Sequence, residues 1–296
     1  MNFHDQIVSN QRRTLLLIAF FCALVAVLGY VFGLYLVGNG FVGLVFAAVI
    51  GTLYALVGYF QGSKFILAAS KAQPVSKKDD PYLVHTVEGL ALAAGIPTPK
   101  IYLIAEDSPN AFATGRDPDH ALVAVTSGLR KRMNRQELEG VLAHEISHIK
   151  NYDIRYLLLV GVLLAITVLL ADMMFRTFWW TGGRREGRRV GGGVLIIGVL
   201  LAVLAPLIAY LIRFAVSRRR EFLADASGVK LTRYPPGLAS ALRKIRDSHD
   251  KVVDTANRAT EHLYIENPLR NDRKLLSGLF STHPDINERI RRLEEM

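Results

Sequence analysis

Four long apolar blocks divide the chain. They are Leu15–Val37, Phe41–Phe60, Tyr156–Phe175 and Val194–Ile212, and only Asp172 in the third block carries a charge. A helix rises about 1.5 Å per residue and a bilayer core is about 30 Å thick, so roughly 20 apolar residues can cross it. We therefore predict four apolar helices, arranged as two pairs, each long enough to span a membrane.

These blocks separate two polar parts of the sequence. They predict an N-terminal membrane anchor at 1–63, a polar part at 64–155, a second apolar pair at 156–216 and a polar C-terminal part at 217–296.

Shorter elements are predicted within the polar parts. Asp80-Pro81 and Gly95 have the composition of a helix start and stop, which predicts a short helix at 80–95. Asn134, with Glu137 three residues later, predicts a capped helix over 136–151. Later helices are expected at about 236–248 and near the C-terminus. β-branched and apolar runs bounded by turn residues predict three strands: Lys100–Ile104, Asn110–Thr114 and Ala121–Thr126.

The basic residues suggest an orientation in the membrane. Arg12 and Arg13 precede the first block and Lys64 follows the second, whereas the turn Gly38–Gly40 between them is uncharged. The positive-inside rule then places the N-terminus and residues 64–153 in the cytoplasm.

The second apolar pair has a less regular charge pattern. Its linker, 176–192, holds five arginines and a single acid, Glu186. Two spans would place this basic linker outside, against the usual bias, whereas a re-entrant hairpin would not. We favour two spans, and the chain returns to the side it left in both cases.

Composition supports a membrane location. The chain is 51% hydrophobic with a mean hydropathy of +0.24, a net charge of +10 and a pI of about 9.8. The arginines cluster beside the apolar blocks and form no stripe with interleaved aromatics, so we expect anionic lipid, and no nucleic acid, as their partner. The single cysteine, Cys22, excludes an intrachain disulfide.

A candidate metal site lies in the helix predicted at 136–151. Its sequence His144-Glu145-Ile146-Ser147-His148 places two imidazoles on one helix face, where they can hold a single Zn²⁺. Glu145 lies between them and can activate water beside the metal. This pattern indicates a zinc hydrolase with one zinc per chain, catalysing its reaction at a membrane surface.

Catalytic zinc usually takes three protein ligands. The best candidate for the third ligand is Glu221. The second apolar pair lies between it and the histidines, and such a pair returns the chain to the side of the membrane where the histidines lie. Asp225, one helical turn later, can accept a hydrogen bond from a ligating imidazole. The alternative is that Glu221 and Asp225 only pair with the neighbouring arginines on a solvated surface.

These motifs together resemble a known family. His144-Glu145-x-x-His148, the run from Ser217 to Asp225, and Thr282-His283-Pro284 before Arg289 resemble the HtpX-type membrane zinc metalloproteases of the M48 group. The segment Asn110–Gly115 also matches. The resemblance implies an α+β membrane protein, with a mainly helical, gluzincin-like catalytic domain and a small β-sheet. It further implies a multi-pass protein of a bacterial or archaeal plasma membrane, with a cytoplasmic catalytic domain that takes part in membrane-protein quality control.

The resemblance also implies a substrate-binding set. Asn110, Ala111 and Phe112 would form an edge strand that binds an extended peptide, although an internal strand is the alternative. His283 would donate a hydrogen bond to the developing oxyanion, and a helix-capping role is its alternative. Two roles are open for Arg218 and Arg220: orienting substrate carbonyls, or reaching lipid phosphates.

Our prediction is a zinc endopeptidase that cleaves misfolded or damaged membrane and cytoplasmic polypeptides. A prenyl-peptide protease of the CAAX type shares the zinc chemistry, but we expect it to need more than four spans. A catalytically silent membrane adaptor with the same fold is the third possibility, which the intact ligands and Glu145 disfavour.

Overall fold

The computed structural model describes residues 3–181, 198–199, 220–248 and 284–296. The predicted fourth apolar helix at Val194–Ile212, except for residues 198–199, and most of the linker at 176–192 lie outside these ranges. The chain divides into two compact units, one formed by 1–59 and 159–213, the other by 60–158 and 214–296. The four-part division expected from the sequence is a finer one and stays a prediction.

Three long helices contain the apolar blocks that the structure describes. They are α1 (Phe3–Val37), α2 (Gly40–Ala69) and α6 (Asp153–Thr181). Segments of these three helices, Ile18–Val37, Gly40–Ala69 and Asp153–Thr177, are long and apolar enough to cross a membrane. The prediction of membrane-spanning helices is confirmed for these three blocks as far as length and composition decide it.

Helices α1 and α2 form a hairpin with very close backbones. Gly38 turns the chain at a φ of 73°, and the Asn39 side chain accepts a hydrogen bond from Phe41 N at 3.0 Å. A Cβ on Gly43 would overlap the backbone of Gly29 and Gly33, so only glycine allows this approach. Most of the large apolar side chains of α2 are exposed, which suits a helix facing lipid.

The second unit contains a four-stranded sheet. Its strands are β1 (Gln73–Pro74), β2 (Lys100–Ile104), β3 (Ala111–Thr114) and β4 (Leu122–Thr126), in the order β1-β2-β4-β3. Strands β2 and β4 are parallel, and the other two pairings are antiparallel. The three predicted strands are confirmed to within one residue at their ends. The two-residue β1 was not predicted.

Helices cover one face of this sheet. They include α3 (Pro81–Ala94), α4 (Ser127–Arg132), α5 (Arg135–Lys150), α7 (220–232), α8 (Pro235–Asp247) and α9 (Ile286–Glu294). Buried side chains of α3, α5, α8 and α9 form one core with β3 and β4. On the opposite face, Phe112 packs with Ile104, Ile66 and Leu157. Helix α5 therefore lies at the centre of the unit.

The predicted helix caps are present in the structure. Asn134 and Glu137 form a reciprocal capping box at the start of α5. Asp80 accepts a hydrogen bond from Leu83 N at 3.0 Å, and Gly95 ends α3 at a φ of 71°. Local sequence signals thus determine where these helices begin and end.

Candidate metal centre

Helix α5 presents both histidines on one buried face. His144, Glu145 and His148 are 1%, 2% and 7% exposed, respectively. Residues four apart on a helix lie above one another, and the His144 and His148 ring centroids are 4.7 Å apart. The two imidazoles therefore point into the same small volume.

Helix α7 brings Glu221 to the histidines by packing closely on α5. A Cβ on Gly228 would lie 3.0 Å from His144 N and 3.2 Å from the carbonyl carbon of Ala143. The missing side chain thus lets the α7 backbone rest directly on the histidine helix. Glu221, about two turns earlier on α7, is buried at the same place.

Two imidazole nitrogens and one carboxylate converge there. His144 Nε2 lies 3.1 Å from His148 Nε2 and 3.6 Å from Glu221 Oε2, while His148 Nε2 lies 3.5 Å from Glu221 Oε1. Ligand atoms at about 2.0–2.1 Å from one tetrahedral zinc ion lie about 3.3 Å from each other. The donor types and their separations therefore fit a zinc site with a fourth position left for water.

Two further buried carboxylates hold the outer nitrogens of the imidazoles. Asp225 Oδ1 lies 2.9 Å from His144 Nδ1, and Asp153 Oδ2 lies 3.1 Å from His148 Nδ1. Each ring therefore has its Nδ1 beside a carboxylate, which favours the tautomer whose Nε2 is available to a metal.

Each of these outer carboxylates also binds a buried arginine. Arg289 donates from Nε and Nη2 to Asp225 at 2.9 and 2.7 Å. Arg220 donates from Nη1 to Asp153 Oδ1 at 3.1 Å. In each case an arginine binds a carboxylate that in turn lies beside the Nδ1 atom of a histidine. Two such chains of polar contacts surround the triad of His144, His148 and Glu221.

Comparison with known proteins identifies the family. Residues 77–296 match the profile of peptidase family M48. The chain belongs to peptidase family M48. A protease HtpX homologue of Ligilactobacillus salivarius is 42% identical over 297 residues, covering 99% of both chains. Homologues from Thermoanaerobacter pseudethanolicus and Dictyoglomus turgidum are each 45% identical and cover 97% and 99% of this chain, respectively.

A solved structure shares the fold of this M48 chain. The crystal structure of S. mikatae Ste24p aligns with a TM-score of 0.56 and 22% identity, over 97% of this chain and 66% of that chain. The chain thus spans just under two thirds of the length of that larger protein. At this identity the likeness concerns the fold only.

Membership of the family and the convergent triad together make the chain a metallopeptidase. It is a membrane protein with polypeptide substrates, and the predictions of family and of enzyme class are confirmed.

Charges in the M48 site shift the pKa values of both histidines upward. Burial opposes protonation of His148, but Asp153 and Glu221 outweigh it and raise its pKa well above the usual value. Burial and Arg289 both oppose protonation of His144, yet Asp225 and Glu221 raise its pKa as well. A strongly negative environment surrounds both rings, which also favours a metal cation.

Glu145 occupies the same buried volume. Burial raises the pKa of its carboxyl, while His144 and His148 pull it in the opposite direction. A carboxylate with a raised pKa is better suited to accept and return a proton near neutral pH.

Strand β3 lies at the edge of the described sheet, at the position predicted for substrate binding. Its register pairs Ala111 with Val125 and Phe112 with Ala124, and Thr126 N donates to Asn110 O at 2.9 Å. Hydrogen-bonded and non-hydrogen-bonded pairs alternate in an antiparallel ladder. The N–H and C=O groups of Ala111 and Ala113 therefore point away from β4. Ala111 N instead donates to the Asn110 side chain at 3.1 Å.

Two other predicted substrate residues, Arg218 and His283, lie outside the described residues. The lipid-facing role considered for Arg220 is wrong, because this side chain is 4% exposed and binds Asp153. Sequence reasoning also missed Asp153 and Arg289. Asp153 follows His148 at the start of an apolar block, and Arg289 belongs to a recognised motif, but neither position alone reveals its partner.

Proposed function

We propose that the protein is a zinc-dependent endopeptidase of the bacterial plasma membrane. It hydrolyses peptide bonds of misfolded or damaged membrane and cytoplasmic proteins with water activated by Glu145. The convergence of His144, His148 and Glu221 beside this buried glutamate carries the proposal.

His144, His148 and Glu221 would hold one zinc ion per chain. When bound, the ion supplies Lewis-acid polarisation of the scissile carbonyl and makes water more acidic. Glu145 accepts the proton of the attacking water and delivers it to the leaving amine nitrogen. Asp225 keeps the His144 ring oriented, since it lies beside Nδ1 and leaves Nε2 for the zinc that the triad would hold.

The substrate would bind as an additional strand along β3. Outward-facing main-chain groups of Ala111 and Ala113 can pair with an extended peptide, as edge strands do in β-augmentation, once Ala111 N exchanges its bond to the Asn110 side chain for one to the peptide. Asn110 and Phe112 flank Ala111 and fix its position, Asn110 through its bond from Thr126 N and Phe112 through the sheet pairing. Main-chain pairing gives affinity with little sequence preference, which suits an enzyme that removes diverse damaged proteins.

Substitution of Glu145 tests the mechanism. We expect purified Glu145→Gln protein to bind about one zinc per chain and to lose cleavage of an unfolded protein about 10²–10⁴-fold, because the proton acceptor is gone. Zinc is measured by elemental analysis and cleavage by fluorescence release. Glu139→Gln, the same change on the same helix, is the control that should keep activity. Unchanged turnover by Glu145→Gln, or a zinc-free wild-type protein after zinc incubation, would contradict the mechanism.

Peptides methylated at single backbone nitrogens test the strand-like binding of substrate. We expect KM to rise when every second residue near the scissile bond is methylated, because a paired strand directs alternate N–H groups toward its neighbour. KM is measured for a series of fluorogenic peptides that differ only in the methylated position. A uniform effect along the series would argue against pairing with β3.

We also propose that the catalytic unit faces the cytoplasm and that anionic lipid binds the basic residues beside the apolar blocks. The positive flanks of the first pair, including Arg12, Arg13 and Lys64, support both expectations.

A further inference from the structure

A single carboxylate connects the second histidine to the third ligand. Asp153 is 3% exposed, and its two oxygens have different partners: Oδ2 lies 3.1 Å from His148 Nδ1, and Oδ1 accepts from Arg220 Nη1 at 3.1 Å. Arg220 directly precedes Glu221 in the chain. The orientation of His148 and the placement of Glu221 are therefore linked through Asp153.

Arg220 is held by the first turn of α6. Its guanidinium carbon lies 3.3 Å from the ring centroid of Tyr156, which is three residues after Asp153 on that helix. Stacking on an aromatic ring and a carboxylate bond together account for a cation that is almost fully buried. Helix α6 thus fixes the start of α7 by two side chains.

Buried ion pairs are often no better for stability than apolar residues of the same size. Stability alone therefore does not explain why this pair occurs beside the triad. The position of the pair explains it better, because Arg220 precedes Glu221 in the chain and Asp153 contacts His148 in space.

We propose that Asp153 and Arg220 are positioning residues that set the zinc affinity of the site, an inference that rests on the metal site proposed above. They join the start of α6 to the start of α7, on either side of the second apolar pair in the sequence. The zinc site is complete only when the start of α6 and the start of α7 are held together by this pair. Metal retention is thereby coupled to how the start of α6 is held against the start of α7.

Zinc affinity measured by competition with a chelator, on the full-length protein in detergent, tests this proposal. We expect Asp153→Asn to weaken zinc binding about 10–100-fold, as loss of a carboxylate behind a ligating histidine does. We expect Arg220→Gln to weaken it as well, and Arg220→Lys, which keeps the charge, to bind more tightly than Arg220→Gln. Co²⁺ absorption spectra of the same variants should shift, because they report the geometry of the ligands.

Glu137→Gln is the matched control. Glu137 is also a buried carboxylate in an ion pair, with Lys244 Nζ at 2.6 Å, but it lies at the opposite end of α5 from the histidines. We expect this variant to melt at a lower temperature while its zinc affinity and Co²⁺ spectrum stay those of the wild type.

The double variant Asp153→Asn/Arg220→Gln shows whether the two residues act as one unit. We expect its loss of affinity to be clearly smaller than the product of the two single losses. If the losses of the two single variants multiply in the double variant, the proposal is overturned. Wild-type zinc affinity in both Arg220 variants would also overturn it, and this result does not depend on whether Asp153→Asn folds. A wild-type protein that binds no zinc would instead refute the metal site itself.

Discussion

Six buried charged side chains surround the two histidines in the described part of the chain. Four are carboxylates and two are guanidinium groups, which leaves an excess of two negative charges when both imidazoles are neutral; the six are Glu145, Asp153, Glu221, Asp225, Arg220 and Arg289. Burying uncompensated charge is costly, and a divalent cation would remove the excess. Two protonated imidazoles would balance the same charge, so zinc binding would release these protons, because a ligating imidazole is neutral.

Arg289 compensates the charge of Asp225, and its removal should show this. We expect Arg289→Met to destabilise the metal-free protein by about 3–5 kcal/mol, because the buried Asp225 carboxylate loses its bidentate partner. Thermal unfolding in detergent with chelator present measures the effect. The double variant Asp225→Asn/Arg289→Met should be more stable than Arg289→Met alone, since the Asp225 charge is gone and only Glu221, 3.4 Å from Arg289 Nη1, then lacks the guanidinium. A double variant that is less stable would show that Arg289 acts mainly by packing.

At the scale of elements, close backbone contacts position α5 among its neighbours. A Cβ on Gly140 would lie 2.7 Å from Leu238 N, and a Cβ on Gly237 would lie 2.6 Å from Gln136 O. Helices α5 and α8 therefore meet backbone to backbone at these two glycines. Gly228 makes the equivalent contact between α7 and α5, so three glycines determine where the ligand-bearing helices lie.

Alanine at Gly140 should separate α5 from α8. We expect Gly140→Ala to lower the melting temperature, because the added methyl group meets backbone atoms that cannot rotate away. Gly89→Ala is the matched control: a Cβ there meets nothing within 4 Å among the described atoms, so it should stabilise α3 by about 0.5–1 kcal/mol. Equal melting temperatures for the two variants would show that the α5–α8 contact is not as close as described.

At the scale of the whole molecule, the second apolar pair lies between His148 and Glu221 in the sequence, yet the two residues are neighbours in space. The unit that contains the histidines ends at Leu158, within α6, and resumes at Phe214, before Glu221. The start of α6 and the start of α7 belong to the same compact unit, where Glu221 lies beside both histidines, and the proposed topology places both starts on one side of the membrane.

Cysteine labelling tests this topology. In a Cys22→Ser background, we expect Asn39→Cys and Gly183→Cys to react with a membrane-impermeant maleimide in intact cells. Lys77→Cys and Gly278→Cys should react only after permeabilisation, because positive flanks place these parts in the cytoplasm. Labelling of Gly183→Cys and Gly278→Cys from the same side would instead indicate a re-entrant hairpin.

The elements that the sequence predicted depend on local interactions. The capping box of α5 involves residues three apart, and the histidines occupy one face because of the helical repeat. The three predicted strands are β-branched or apolar runs between turns. In contrast, β1 is two residues long and contains a proline, and it exists only because it pairs with β2.

The residues of the site also divide into those set by local sequence and those set by long-range contacts. The sequence by itself determined the ligand types, their helical spacing and the apolar lengths, since each depends on neighbours within a few turns. Only the tertiary structure decided that Asp153 binds Arg220, 67 residues away, and that Arg289 binds Asp225, 64 residues away. Such contacts depend on how the helices pack, where absent side chains such as that of Gly228 set the distance between backbones.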